Sequence, residues 1–431
     1  MKRSIRIVLS VAIGLVVVLI AATYISSLET EDTFRTCKLL AEEDIDRVDF
    51  NRFDSVTVAA NTLYKASGFK ELMQGEQYRD AWAAPITVPI AFLDTLKGGL
   101  RIIEEGGGQQ THSLELEDQL GIRYALRSLS KDSKKLVPDF ARDLGLENII
   151  VDGVSAQHPY AALVVAELSA AAGLLHTRPE LMFLPKQKGF GELNDKYGNR
   201  LYFLEYESEG KVDWTGISGV RELVDTDDLI ELRSEIGNDI SIDKNALVRA
   251  RLFDILIGDW DRHAKQWGWA LKETNETICA VPVPTDRDNA FFKQDGILPS
   301  LIANDYALPK VQPFGKDIDY LPGLVRGFDE YFLRVCSREL FVREAEVLKH
   351  SISDSLIEDA FKVWPERILE LDGPEIKAKL RARRDELVPI AKRFHNILDR
   401  RPLSKMELNG CEDLELFGSM VYCFDCGDEI R

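Results

Sequence analysis

The spacing of apolar residues changes character along the chain. An uncharged apolar run, Ile7–Ile25, opens it. Its 19 residues come close to the ~20 that cross a bilayer as a helix. Residues 28–75 are polar and read as mostly helical. The chain then turns aromatic and proline-rich up to Leu100. Two short strands around the glycine-rich turn Gly106, Gly107 and Gly108 read as a β-hairpin, with alternating Leu114 and Leu116 and a second strand at Ile122–Leu129. Tyr160–Leu175, rich in Ala and Leu, predicts a helix closed near Gly173, and Leu181–Phe183 and Leu201–Tyr206 predict strands. From Asp225 onward the period is helical. Asp243 is placed to cap a helix over Lys244–Ile257, and Tyr331–His350, Asp354–Trp364 and Glu375–Leu398 predict further helices. The order predicts an α+β chain: an N-terminal membrane helix (1–27), a helical linker (28–75), a β-rich lobe (76–212), an α-rich lobe (213–405) and an acidic tail with cysteines (406–431).

Composition narrows the partners. The chain has 431 residues, 45% hydrophobic and 29% charged, enough to bury one large core or two moderate ones. A net charge of −18 argues against a nucleic-acid partner, which requires a basic face. Lys2, Arg3 and Arg6 precede the apolar run, and Glu29, Glu31 and Asp32 follow it. A cleaved signal peptide carries a shorter apolar region, so an uncleaved anchor is expected. The positive-inside bias then puts the N-terminus in the cytoplasm and the main domain outside it, a single-pass membrane protein. Among six cysteines, Cys423 and Cys426 form a C-x-x-C pair without the further ligands of a metal site, so a disulfide in the tail is expected.

The helical run Leu252, Phe253, Ile255, Leu256 stops at Gly258, and Asp259, Asp261, Arg262, His263 and Gln266 follow at once. A polar, doubly acidic loop hung on a buried helix is how a scaffold positions chemistry. A second acidic loop, Pro284–Phe292, carries Asp286 and Asp288. Asp261 and Asp286 are 25 residues apart, room for a strand, a turn and a second strand. One carboxylate could take a proton from an attacking hydroxyl while the other holds a divalent cation, since Mg²⁺ is satisfied by one or two carboxylates, waters and phosphate oxygens. Gln266 adds a neutral oxygen. The glycines allow backbone N–H groups to approach phosphate, and Arg123, Arg127 or Lys131 at the second strand could pair it. Together these are the parts of phosphoryl transfer. A phosphoesterase built on Asp259, Asp261, His263, Asp286 and Asp288 would use two metal ions, which need more ligands than the chain offers.

The stretch GDWDRHAKQ resembles the catalytic loop of atypical kinases: the HipA-type toxin kinases, the phosphoinositide lipid kinases and the secretory-pathway kinases of the Four-jointed type. It is most similar to the HipA-type D-x-H-A-K-N, matched by Asp261, His263, Ala264, Lys265 and Gln266. The AAGL before Leu175 also resembles a HipA-type helix. The resemblance implies a two-lobed protein-kinase-like fold that transfers phosphate from Mg-ATP to a protein or glycan hydroxyl. It makes Asp261 and His263 the catalytic candidates and Gly106–Gly108 the phosphate loop. Arg127 would stand nearest the ATP-pairing cation. Asp286 and Gln266 would hold Mg²⁺, and Asp288 is either a further metal ligand or a partner of Arg287. Gln266 replaces the usual Asn and Arg127 the usual Lys, and neither exchange is neutral. A pseudokinase acting as a scaffold in an envelope complex shares all of these features.

Overall fold

In the computed structural model the chain is described except for Met1 and residues 29–37, 40–44, 107–110, 132–136, 138, 275–276, 303–307, 319, 404, 406–407, 409–410, 412–413, 415, 417 and 427–431. Period-2 segments rich in β-branched and aromatic residues form three sheets. A small antiparallel sheet joins β1 (Lys38–Leu39), β2 (Ser55–Ala59) and β3 (Pro85–Pro89). Five antiparallel strands follow: β4 (Arg101–Glu105), β5 (Thr111–Glu117), β6 (Arg123–Lys131), β7 (Glu180–Leu184) and β8 (Arg200–Tyr206), in the order β4-β5-β6-β8-β7. A parallel bridge between Ile90 and Phe183 ties the small sheet to the β7 edge.

The helix Ala161–Ala171 lies between β6 and β7 in the chain, with Val164, Val165 and Leu168 buried and Glu167 facing solvent. The second half of the chain is mainly helical around a third sheet of β9 (Val220–Asp225), β10 (Ile240–Ile242), β11 (Trp267–Thr274) and β12 (Thr277–Pro284), ordered β10-β12-β11-β9. Here β10 runs parallel to β12, and β11 and β12 form an antiparallel pair between the two acidic loops. The α+β architecture expected from the sequence is the one the chain adopts. The helix Lys2–Ser27 precedes it and is long and apolar enough to cross a membrane.

Four expectations need correction. Residues 28–75 are not a helical linker: their described part contains β2, where Val56 and Val58 alternate with Ser55 and Thr57, besides the helix Gly68–Gln74. The expected helix Tyr331–His350 is two, Gly327–Leu333 and Arg338–Ser351, because Ser337 caps the second by accepting from the Leu340 N–H. The last long helix begins earlier and is also two, Glu366–Asp385 and Leu387–Arg400, the first accommodating Pro374. Finally, the run Arg381, Arg383, Arg384 reads as a solvated face, yet Arg383 is buried and donates to the backbone oxygens of Ile255 (2.8 Å) and Gly315 (2.7 Å). In the tail, Cys423 and Cys426 form the expected disulfide, and Phe424 packs on Phe332 with ring centroids 5.5 Å apart.

The element that positions the site is the buried helix Lys244–Ile257. Asp243 caps it by accepting from the Ala246 N–H at 3.0 Å. Gly258 ends it at φ +76°, where a Cβ would meet the Phe314 ring at 2.7 Å. Left-handed backbone costs an L residue roughly 1–2 kcal/mol. Gly258→Ala should therefore destabilise the full chain by at least about that much, read as a lower midpoint in denaturant.

Candidate active site

The site is built on Asp254, a carboxylate in the last turn of the Lys244–Ile257 helix with no exposed surface. Three guanidinium groups converge on it. Arg287 Nε donates at 2.9 Å, Arg262 Nε lies at 3.1 Å and Arg251 Nη1 at 3.4 Å. Arg251 also donates from Nε to Asp329 at 2.5 Å. Arg262 belongs to the first acidic loop and Arg287 to the second, so one carboxylate joins both loops to the helix. Arg262 also donates to the backbone oxygens of Thr285 (2.6 Å) and Gln266 (3.1 Å) and lies 4.8 Å over the Trp267 ring. Arg287 continues to Ser169 Oγ at 2.9 Å, tying the second loop to the helix Ala161–Ala171.

Asp259 shapes the first loop. Its Oδ1 accepts from the Asp261 N–H at 3.2 Å, and its Oδ2 lies 3.6 Å from Arg262. Burial pushes its pKa well above the usual carboxylate value against the pull of Arg262.

Past these buried ions a cleft of about 490 Å³ opens, a volume suited to a small-molecule ligand. Strand β6 contributes Arg127 and Lys131 to one wall, the first loop Asp261, His263 and Gln266, and the second loop Asp286 and Asp288. The structure thus brings Asp261 and Asp286 to one cavity, with Arg127 facing them. Gly106 does not line it. Its N–H donates to the Ser113 oxygen at 2.9 Å, and a Cβ there would strike Ser113 Oγ at 2.1 Å. Gly107 and Gly108 lie outside the described residues. The strand after them pairs Thr111 with Lys131 and Ser113 with Arg127, at the cleft end of β6.

The charges in the cleft are coupled. Burial alone would lower the Arg127 pKa, but Asp286, Glu207, Glu205 and Asp288 outweigh it and raise it. Burial alone would raise the Asp286 pKa, but Arg127, Lys131, Arg262 and His263 outweigh it and hold the group ionised, at a backbone φ of +50°. Asp288 pairs with Lys131, not with Arg287. Burial first, and Asp286 second, push it up to about 6 despite that pairing. His263 is lowered by burial against the attraction of Asp261, which keeps it neutral, and its Nδ1 finds no hydrogen-bond partner among the described residues. Asp261, with its side chain 27% exposed, has Lys310 at 3.9 Å, so it is accessible from the cleft.

Among the described residues no group of three or more His, Cys, Asp or Glu is arranged to hold a metal by itself. The oxygens present fit a different arrangement. Asp286 is ionised, Asp288 is destabilised by it, and among the described residues Gln266 Oε1 holds only a 3.4 Å contact from Arg262. A hard divalent cation completed by phosphate oxygens would relieve the repulsion between the two acids.

The sequence reading did not single out Asp254. One acid within an otherwise apolar helix was the available signal, because a buried carboxylate must find partners. Gln157 was also missed. It lines the cleft and donates to Asn289 Oδ1 at 2.7 Å.

No protein-family model and no curated protein matches the chain. Solved structures do. One is the Helicobacter pylori proinflammatory kinase CtkA, at 15% identity over 69% of this chain and 95% of that one, with a TM-score of 0.31. Another is the Shewanella oneidensis MR-1 toxin–antitoxin system HipA, HipB and its operator DNA complex, at 12% identity over 77% of this chain and 78% of that one, with a TM-score of 0.32. At TM-scores of this size neither carries weight for this chain, and the kinase-like reading rests on its own layers, loops and cleft.

Two outcomes are expected. Asp254→Asn leaves three buried guanidinium groups without their shared charge and should cost on the order of 3–5 kcal/mol, measured by chemical denaturation. Asp288 carries a pKa raised from 3.8 to about 6, so the folded chain binds this proton more tightly than the unfolded one. That contribution to stability is fully present below 3.8 and is lost as pH rises through about 6. Above that pH the ionised carboxylate is available to a cation. Mg²⁺ should therefore raise the melting temperature more above pH 6 than below it, and Asp288→Asn should remove the difference.

Proposed function

We propose that the chain is a membrane-anchored atypical kinase that transfers the terminal phosphoryl group of Mg-ATP to a protein or glycan hydroxyl. The observation that carries this reading is the shared cleft: Asp261 on one loop, Asp286 and Asp288 on another, and Arg127 and Lys131 on the facing strand. Phosphoryl transfer asks little covalent chemistry of a protein beyond positioning and charge. Arg127, held cationic by the surrounding acids, pairs a phosphate with its guanidinium fork. Asp261 accepts the proton of the acceptor hydroxyl at its carboxylate, which is open enough to be reached. His263, neutral beside it, offers a hydrogen bond without adding charge. Asp286, Asp288 and Gln266 would hold Mg²⁺, which neutralises phosphate charge when bound.

The helix Lys2–Ser27 would be the anchor, with Lys2, Arg3 and Arg6 in its first turns on the cytoplasmic side. The disulfide between Cys423 and Cys426 suits a domain outside the reducing cytoplasm.

Asp261→Asn should retain Mg-ATP binding and lose turnover by roughly 10²–10⁴-fold. Asp286→Ala should lose binding itself, as followed by calorimetric titration of the full chain in detergent. Binding by the native protein with no transfer to any acceptor, and no effect of Asp261→Asn in the cell, would instead mark a scaffold that has kept the fold without the reaction.

A further inference from the structure

The end of the N-terminal helix is fixed to the body of the protein. Its apolar side chains from Ile5 to Ile25 are largely exposed, so most of the helix projects away from the domain. Its last turn does not. Ser26 and Ser27 are buried. Tyr24 Oη donates to the Leu144 oxygen at 2.8 Å, Gln74 Nε2 donates to Ser26 Oγ at 3.0 Å, and Asn148 Nδ2 donates to the Ser27 oxygen at 3.4 Å. A helix held in this way is not a tether. If it crosses a bilayer, the surface around its root lies at the level of the lipid headgroups.

That surface is apolar. The helix Gly68–Gln74 packs on the root and exposes Phe69 and Leu72, three residues apart on one face, at 41% and 60%. The short helix Ile297–Ile302 packs on Gly68–Gln74 and exposes Ile297 and Leu301, four residues apart, at 41% and 58%. Leu144, at the hydroxyl of Tyr24, is 53% exposed. Single exposed apolar residues are ordinary on a soluble surface, but a group of them continuous with a membrane-length helix is not. The neighbouring charges are of both signs, Arg142 with Asp139 and Lys293 with Glu76, so no anionic lipid is required.

We infer that this face, formed by Phe69, Leu72, Leu144, Ile297 and Leu301 around the root of the anchor, is seated in the interfacial layer of the phospholipid bilayer. The inference rests on the reading of the helix Lys2–Ser27 as a retained anchor. It also bears on the cleft. The helix Ile297–Ile302 follows the second acidic loop, and its approach is clamped: Asp295 Oδ1 accepts from the Gln77 N–H at 3.1 Å, and a Cβ on Gly296 would strike the Gly75 nitrogen at 2.3 Å. The chain leaving Asp286 and Asp288 is thereby tied to the membrane-seated face, which holds the cleft at a set height above the bilayer.

The test uses the full chain in phosphatidylcholine nanodiscs, with the photoreactive residue p-benzoylphenylalanine placed singly at Leu72, Leu301, Val18 or Leu120. Leu120 is 76% exposed at the β5–β6 turn and serves as the aqueous reference. After illumination, mass spectrometry counts lipid adducts. Adducts at Leu72 and Leu301 several-fold above Leu120, together with adducts at Val18, are expected. Adducts at Val18 alone would overturn the seated face and leave the anchor standing. No adducts at Val18 would overturn the anchor and the seated face with it.

Discussion

The buried carboxylate of Asp254 is the interaction on which the rest of the site depends. Taking a charge out of water is expensive, and one carboxylate surrounded by three guanidinium groups is not an economical way to stabilise a core. Its use is positional. The helix Lys244–Ile257 is held rigidly by its cap and by apolar packing, and Asp254 ties to it two loops that also anchor themselves in the core, the second through Ala290 and Phe291. Arg287 illustrates the tension. Burial holds its pKa below the ordinary guanidinium value, and Asp254 opposes that. The arrangement survives because removing either sign of charge would leave the other unpaired in a dry interior.

The polarity of the cleft follows from which element contributes which charge. Cations come from a strand, whose alternation aims Arg127 and Lys131 in the same direction four residues apart. Acids come from loops, whose backbone can take up unusual angles, as Asp286 does. The pair between Lys131 and Asp288 spans the two. It neutralises part of the acidic wall in the free protein, and a cation entering the cleft would have to compete with it.

Legibility in the sequence tracked the range of the interaction. The helix capped by Asp243 and closed by Gly258 could be read because cap, apolar face and terminator are neighbours in the chain. The two strands between Asp261 and Asp286 could be anticipated from the residues available. The convergence of both acids on one cleft was an inference from kinase-like order, and their geometry now stands beside it. What escaped depends on distant partners. Nothing near Arg383 announces that it will reach the backbone of Ile255. Asp288 sits next to Arg287 in the chain, yet each finds its partner elsewhere, in Lys131 and Asp254. The strand Ser55–Ala59 was hidden by polar surroundings and is stabilised by pairing with Pro85–Pro89.

The ladder between β11 and β12 runs in unbroken register from Trp267 opposite Pro284 to Thr274 opposite Thr277. Both acidic loops leave the same end of this hairpin, where the Thr285 N–H donates to the Gln266 oxygen at 3.0 Å. Side chains on a strand alternate, so a single inserted residue would turn everything beyond it to the opposite face. Adding one residue to each strand at the far end would lengthen the hairpin and leave the end that carries Asp261 and Asp286 untouched. The interval separating the two acids is therefore a property of the hairpin's length, while their approach to each other is set at its near end, where the two loops are bonded.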